Sequence, residues 1–170
     1  LGKALKNIAE EMEDTNGNYG ENMITLRRLR EEYSGLKTEA EKTKWIEDNE
    51  DAFKQLNIAI YDSADAERLL IENTEDVKKA FQDRARAAAA YKITQGKYEE
   101  LLLAESSRKL AETAGVTLED RRKAGFGTDP NYNEANAKQA FNTRIENMKA
   151  EETRLQQEID LYYELGKAAQ

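Results

Sequence analysis

The chain has 170 residues, with 26 Lys or Arg against 34 Asp or Glu, a formal net charge of -8 and a pI near 4.9. It contains no His and no Cys, which excludes Ser-His-Asp and Cys-His nucleophilic sites, thiolate metal sites and disulfides. The acidic balance disfavours nucleic acid and anionic membranes, which need dense positive charge, and no apolar run approaches the roughly 20 residues of a membrane span.

Ala, Glu, Leu, Lys and Arg supply about half of the residues, the composition of long helices and coiled coils. Val occurs twice, so a sheet would lack its usual material. Leu, Ile, Val and Phe number 31, few for a thick globular core, whereas 23 alanines favour helix and close helix packing. The chain opens on Leu1 without a recognisable signal peptide, and it is expected to be an excerpt of a longer protein. The missing Cys fits a reducing compartment.

The first predicted element is a short amphipathic helix over Lys3 to Glu13, with Leu5, Ile8, Ala9 and Met12 on one face. The polar stretch from Asp14 to Gly20 ends it, where Gly17 and Gly20 tolerate positive φ. A second helix opens near Glu21 with the seam Leu26, Leu29, Tyr33, Leu36 and Ala40, and Ser34-Gly35 is its bend point. Thr38-Glu-Ala-Glu41 has the form of a capping box and starts a helix carrying Trp45, Ile46, Ala52, Phe53 and Leu56, which Asn57 ends.

Ile58 to Tyr61 is a linker, after which Asp62 or Ser63 caps a helix containing Ala66, Leu69, Leu70 and Ile71. A second cap at Asn73-Thr74 opens a helix that continues to about Glu112. Val77, Phe81, Ala88, Tyr91, Tyr98 and Leu102 fall on its heptad line, and Arg84 and Gln95 fill the remaining positions. Such a helix is on the order of 60 Å long. Ala87 to Ala90 form a small-residue patch open to close approach by another backbone.

Gly115, Gly125, Gly127 and Pro130 mark 113–132 as a loop, with one helical turn over Leu118 to Lys123. The last helix carries the seam Phe141, Ile145, Met148, Leu155, Ile159 and Tyr162, interrupted at Glu152. Two long helices joined by one loop pack most simply as an antiparallel pair, with an Arg84–Glu152 contact as one option. The predicted fold is therefore all-α: a single domain forming an elongated antiparallel helical hairpin or coiled coil. Short helices in 1–62 pack against long helices at 63–112 and 133–168. Ile46 to Ala52 and Ile71 to Val77 are alike at an offset of 25 residues, which reads as two independent acidic helix starts.

The chemical motifs are weak. Asp14, Asn16 and Asn18 imitate the start of a calcium loop, but Tyr19 and Thr25 stand where Gly and a bidentate Glu are needed, so no metal is expected. Gly125-Phe-Gly127 lacks the downstream Gly and Lys of a phosphate cradle, and no cofactor is expected. The pairs Glu99-Glu100 and Glu151-Glu152 read as solvated helix faces, because acid/base work needs neighbours that drive two pKa values apart. The basic clusters Arg27-Arg28-Arg30 and Arg121-Arg122-Lys123 are offset by adjacent acids. Candidate packing or interaction residues are Trp45, Phe53, Leu56, Phe81, Tyr91, Tyr98, Phe141, Ile145 and Ile159.

The segment from Lys44 to Phe53, then Leu56, Ala66-Glu67, Asn73-Thr74 and Arg84-Ala-Arg-Ala-Ala-Ala-Ala90, resembles helical stretches of phage tail tape measure proteins, of the kind carried by prophages of Bacteroides-type gut bacteria. The resemblance covers roughly 23–105 and brings no catalytic signature; Asn57 stands where a Gly is expected. It implies a structural, non-catalytic spacer that helps set tail length. Its expected partners are proteins: other copies of itself, or tail tube and tail assembly proteins. It would reside in the bacterial cytoplasm during assembly and in the phage tail thereafter. The alternative, from the residues themselves, is a helical adaptor that binds a partner protein through the apolar face around Trp45, Phe53 and Leu56.

Overall fold

A computed structural model describes residues 1–15 and 17–169, with side chains described except at 13–18; the Asp14-Asn16-Asn18 cluster lies outside the described residues. The described chain is all-α, 83% helix and without strands. In order it forms α1 (Gly2–Thr15), α2 (Gly17–Ser34), α3 (Glu39–Asp48), α4 (Glu50–Leu56), α5 (Ser63–Ala66), a π-helical turn (Glu67–Glu72), α6 (Thr74–Ala114), α7 (Leu118–Lys123) and α8 (Glu134–Ala168). Two compact units divide it: Leu1–Ala90 with Leu165–Gln170, and Tyr91–Glu164. The division falls inside α6, where no loop residue announces it in the sequence.

In the first unit, one apolar cluster joins Leu26, Leu29 and Tyr33 of α2, Ile46 of α3, and Phe53 and Leu56 of α4. Ile60, Ala66, Leu70, Val77 and Phe81 complete it. Each large side chain so buried contributes roughly 1.5–3 kcal/mol of transfer free energy. The α2 seam stops one turn earlier than its spacing predicts. The helix ends at Ser34, whose hydroxyl donates to the Arg30 carbonyl at 2.7 Å, and Ala40 is exposed. Its start also differs, at Gly17 and not near Glu21, with Gly20 inside the helix.

Thr38 makes the predicted capping box with Glu41. Asn57 ends α4 with φ 55, the left-handed cap that Asn tolerates better than most residues. Between them Asn49 interrupts what reads as one helix; its side chain donates to the Trp45 carbonyl at 2.8 Å. Asp62, and not Ser63, caps α5 by accepting from Asp65 N–H.

The π-helical turn is not visible in the apolar pattern. Asn73 N–H reaches the Arg68 carbonyl at 2.8 Å, and the Leu70 carbonyl accepts from Arg30 Nε at 3.0 Å and from the Thr74 hydroxyl at 2.9 Å. Side chains thus fill acceptor sites at the local irregularity. Ile71, at 39% exposure, lies on the outer side of this turn. Acidic residues follow at the starts of both α4 and α6, where they complement the helix dipole. That shared need accounts for the two similar sequence segments.

In the second unit, Leu101, Leu155 and Ile159 form a small apolar cluster bordered by Ala104. Contacts between α6 and α8 descend along α8 as they ascend along α6. Tyr91 meets Tyr163 with ring centroids 6.0 Å apart, Lys97 meets Glu158 at 2.8 Å, and Arg108 meets Glu152 at 2.6 Å. Arg84 does not pair with Glu152: it donates to the Leu56 carbonyl at 3.2 Å and lies over the Phe81 ring, satisfying the carbonyl end of α4.

Between α6 and α8 the predicted single turn is present as α7, capped by Thr117 through a box with Asp120. Gly125 and Gly127 both have positive φ, and a Cβ at Gly125 would come within 2.7 Å of Asp129 Cβ. The Asn133 side chain accepts from Asn136 N–H at 3.1 Å and caps α8.

Candidate interaction surfaces

Helix position decides whether each candidate aromatic or aliphatic residue faces the interior. Trp45, Phe53, Leu56 and Phe81 come together in the first unit. Trp45 is half-buried, with ring centroids 5.5 Å from Tyr33 and 5.7 Å from Phe53, and its Nε1–H donates to Glu32 at 3.0 Å. Phe53 and Leu56 are buried, so the face proposed from sequence as an adaptor's grip is turned into the core. Ile145 and Ile159 are buried on α8, and Phe141 is half-buried beneath the Arg144 guanidinium, 5.3 Å from the ring centroid.

Tyr98 belongs to none of these groups and is 53% exposed. The predicted heptad line through Ala88, Gln95, Tyr98 and Leu102 faces outward, whereas Thr94 and Leu101 are buried, with Lys97, Ala104 and Arg108 half-buried beside them. The buried line follows α8, whose Leu155 and Ile159 meet Leu101. Leu101-Leu102-Leu103 offers three phases to a periodicity argument, and only the partner helix selects one. The displaced line leaves an open apolar groove lined by Tyr91, Thr94, Gln95, Tyr98, Leu102 and Tyr163.

Sequence reading missed the Asp120–Arg144 pair. Asp120 is 1% exposed and accepts from Arg144 Nε and Nη2 at 3.1 and 3.0 Å, a bidentate contact, while its own carboxylate also caps Thr117 N–H at 2.9 Å. Arg144, followed by burial and the Thr117 donors, sets its pKa, and the outcome is a fall to about 2. The signal that marks it is Thr117-x-x-Asp120, a capping box with Asp in place of Glu.

The other perturbed carboxylates tell one story. Glu32 is lowered by the Trp45 indole N–H, Glu41 by the backbone N–H of Lys37, and Asp65 by that of Tyr61. Glu134 is lowered by the Tyr132 hydroxyl, Glu151 by Arg154 and Glu158 by Lys97. Among the described residues, every resolved shift of a carboxyl group is downward, the direction of a structural anion and opposite to that of a general acid. Of the sequence pairs, Glu151 bonds Arg154, Glu152 bonds Arg108, and Glu100 lies 3.8 Å from Lys97.

In the first basic cluster Arg27 and Arg28 pair with the neighbouring Glu31 and Glu32 as expected, while Arg30 donates to the Leu70 carbonyl; in the second, Arg121 pairs with Glu134, 13 residues away and not adjacent. Among the described residues, no group of three or more acids is placed to hold a metal ion, and no helix is long and apolar enough to cross a membrane. Comparison with family models, with curated proteins and with solved structures returns no match.

Proposed function

We propose that this chain is a non-catalytic helical segment of a phage tail tape measure protein, acting as a spacer and scaffold in tail assembly and length determination. The observation that carries the reading is the 41-residue helix α6, joined to α8 by a narrow apolar cluster and ion pairs. Helix length is a usable ruler because each residue adds about 1.5 Å. In this reading the Tyr91–Glu164 region works as an elongated antiparallel hairpin with a coiled-coil-like seam. The carboxylates serve as ion-pair and capping groups, in keeping with their lowered pKa values. The sequence resemblance over 23–105 supplies the tail context, with the assembling tail as the place of action and tail proteins as partners.

The test is an in-frame deletion of part of α6 and the facing part of α8 in a phage encoding this chain, with tail length measured by electron microscopy. Tails shortened in proportion to the residues removed, at most on the order of 1.5 Å per helical residue, are expected. Tails of unchanged length would overturn the spacer role. Scattering from the isolated chain tests the shape: a radius of gyration clearly above the roughly 15–16 Å of a compact domain this size is expected.

A further inference from the structure

Lys123, at the end of α7, and one face of α8 line a groove of about 650 Å³ in the second unit. Along that face stand Asn136, Gln139, Thr143 and Asn147, all four exposed. Among the described residues, none of these side chains bonds another part of the chain, and Lys123 makes no ion pair. Arg144 also lines the groove but is committed to Asp120. No acidic residue lines it, although the chain carries 34 acids against 26 Lys or Arg. Arg122, next to Lys123 and exposed, is likewise without an ion pair among the described residues.

We propose that this groove binds an extended, acidic segment of a partner protein, gripping it by its backbone. Gln139, Thr143 and Asn147 recur every four residues, about 6 Å along a helix. Peptide groups on one side of an extended chain recur about every 6.6–6.8 Å, twice its rise per residue. The mismatch is under about 1 Å per step, which side chains of this length absorb. A carboxamide has both donors and an acceptor, so it can serve the N–H and the C=O of a peptide unit. A helical partner would have no use for such a ladder, because its own backbone groups are already paired. From Asn136 to Asn147 the face runs about 16 Å, the length of about five extended residues. Charge selects the side chains of that segment: Lys123 and Arg122 offer unneutralised positive charge, which favours acids and repels bases.

The proposal does not rest on the spacer role, because peptide binding and tail length are separate readouts. The test titrates a capped six-residue peptide, alternating threonine and glutamate, into the ¹⁵N-labelled chain. NMR follows the side-chain amide signals of Asn136, Gln139 and Asn147. Saturable shifts are expected, with a Kd on the order of 1 mM, since the contacts are few and open to water. Lys123→Glu and the double variant Gln139→Ala, Asn147→Ala change exposed positions and should keep the helical CD signal. Each is expected to weaken binding at least about threefold. The same peptide methylated on alternate backbone nitrogens is expected to bind about tenfold more weakly, and a peptide with lysine in place of glutamate not measurably. Absence of saturable shifts at these amides, or binding indifferent to both variants, would overturn the site. Equal binding of the methylated peptide would overturn the backbone grip, and equal binding of the lysine peptide the choice of an acidic partner.

Discussion

The two units are held by different physics. In Leu1–Ala90, six elements and a linker converge on one cluster in which Leu29, Ala66 and Leu70 are fully buried. In Tyr91–Glu164, the apolar cluster is Leu101, Leu155 and Ile159, and three ion pairs accompany it: Lys97–Glu158, Arg108–Glu152 and Asp120–Arg144. The first unit gains stability from apolar area removed from water, which is nondirectional and tolerant of pH. The second depends on charged groups whose geometry and protonation must be right. A chain poor in large aliphatics can thus bury many of them together in one region and brace a helix pair with charge elsewhere.

The sharpest way to break this contrast is to damage each core in turn. Leu29→Ala is expected to cost about 2–5 kcal/mol, the range for a leucine truncated where neighbours cannot collapse. The loss should appear in Trp45 fluorescence during denaturant unfolding, because the chain's single Trp sits beside that cluster. A cost below about 1 kcal/mol would mean that the first unit is loosely packed and the contrast false.

Asp120→Asn is the matching lesion in the second unit. It keeps a side-chain oxygen for the cap but removes the charge that faces Arg144, and a loss of about 1–3 kcal/mol is expected. Acid sharpens the point. The folded-state pKa of Asp120 is depressed to about 2 from 3.8. Its contribution is therefore complete above the unfolded value and lost as pH falls from about 4 through about 2. Far-UV CD should show helix loss in that window while Trp45 emission lags, and Asp120→Asn should blunt the step. Simultaneous transitions of both signals, identical in the variant, would remove Asp120 as the cause.

The smallest effects separate braced from solvated charge. Arg108→Gln breaks a contact whose side chains are only 20% and 13% exposed, whereas Arg27→Gln breaks one at 81% and 69%. Arg108→Gln is expected to lower the melting temperature measurably and with little dependence on salt. Arg27→Gln should leave it unchanged, as exposed i,i+4 pairs do. Equal effects would place the second unit's ion pairs among ordinary surface charges.

Much of the local structure follows from neighbouring residues, because its causes are local. Thr38-x-x-Glu41, Asp62, Asn57 and the positive-φ glycines act within a turn of where they stand, and each acts as its chemistry dictates. The α8 seam, Ile145, Leu155, Ile159 and Tyr162, is likewise found where its spacing puts it. Helical class needed nothing beyond composition and period.

Partners distant in sequence decided the rest. Whether Leu101 or Leu102 is buried depends on where α8 lies, and three consecutive leucines leave that open to any periodicity. Arg84 went to the end of α4 and Arg108 to Glu152, since each guanidinium goes to the acceptor that the fold brings within reach. Trp45, Phe53 and Leu56 became core while Tyr98 and Leu102 stayed outside. Amphipathic spacing defines a face but not what covers it; covering is a long-range event, and it separates buried residues from exposed ones in this chain.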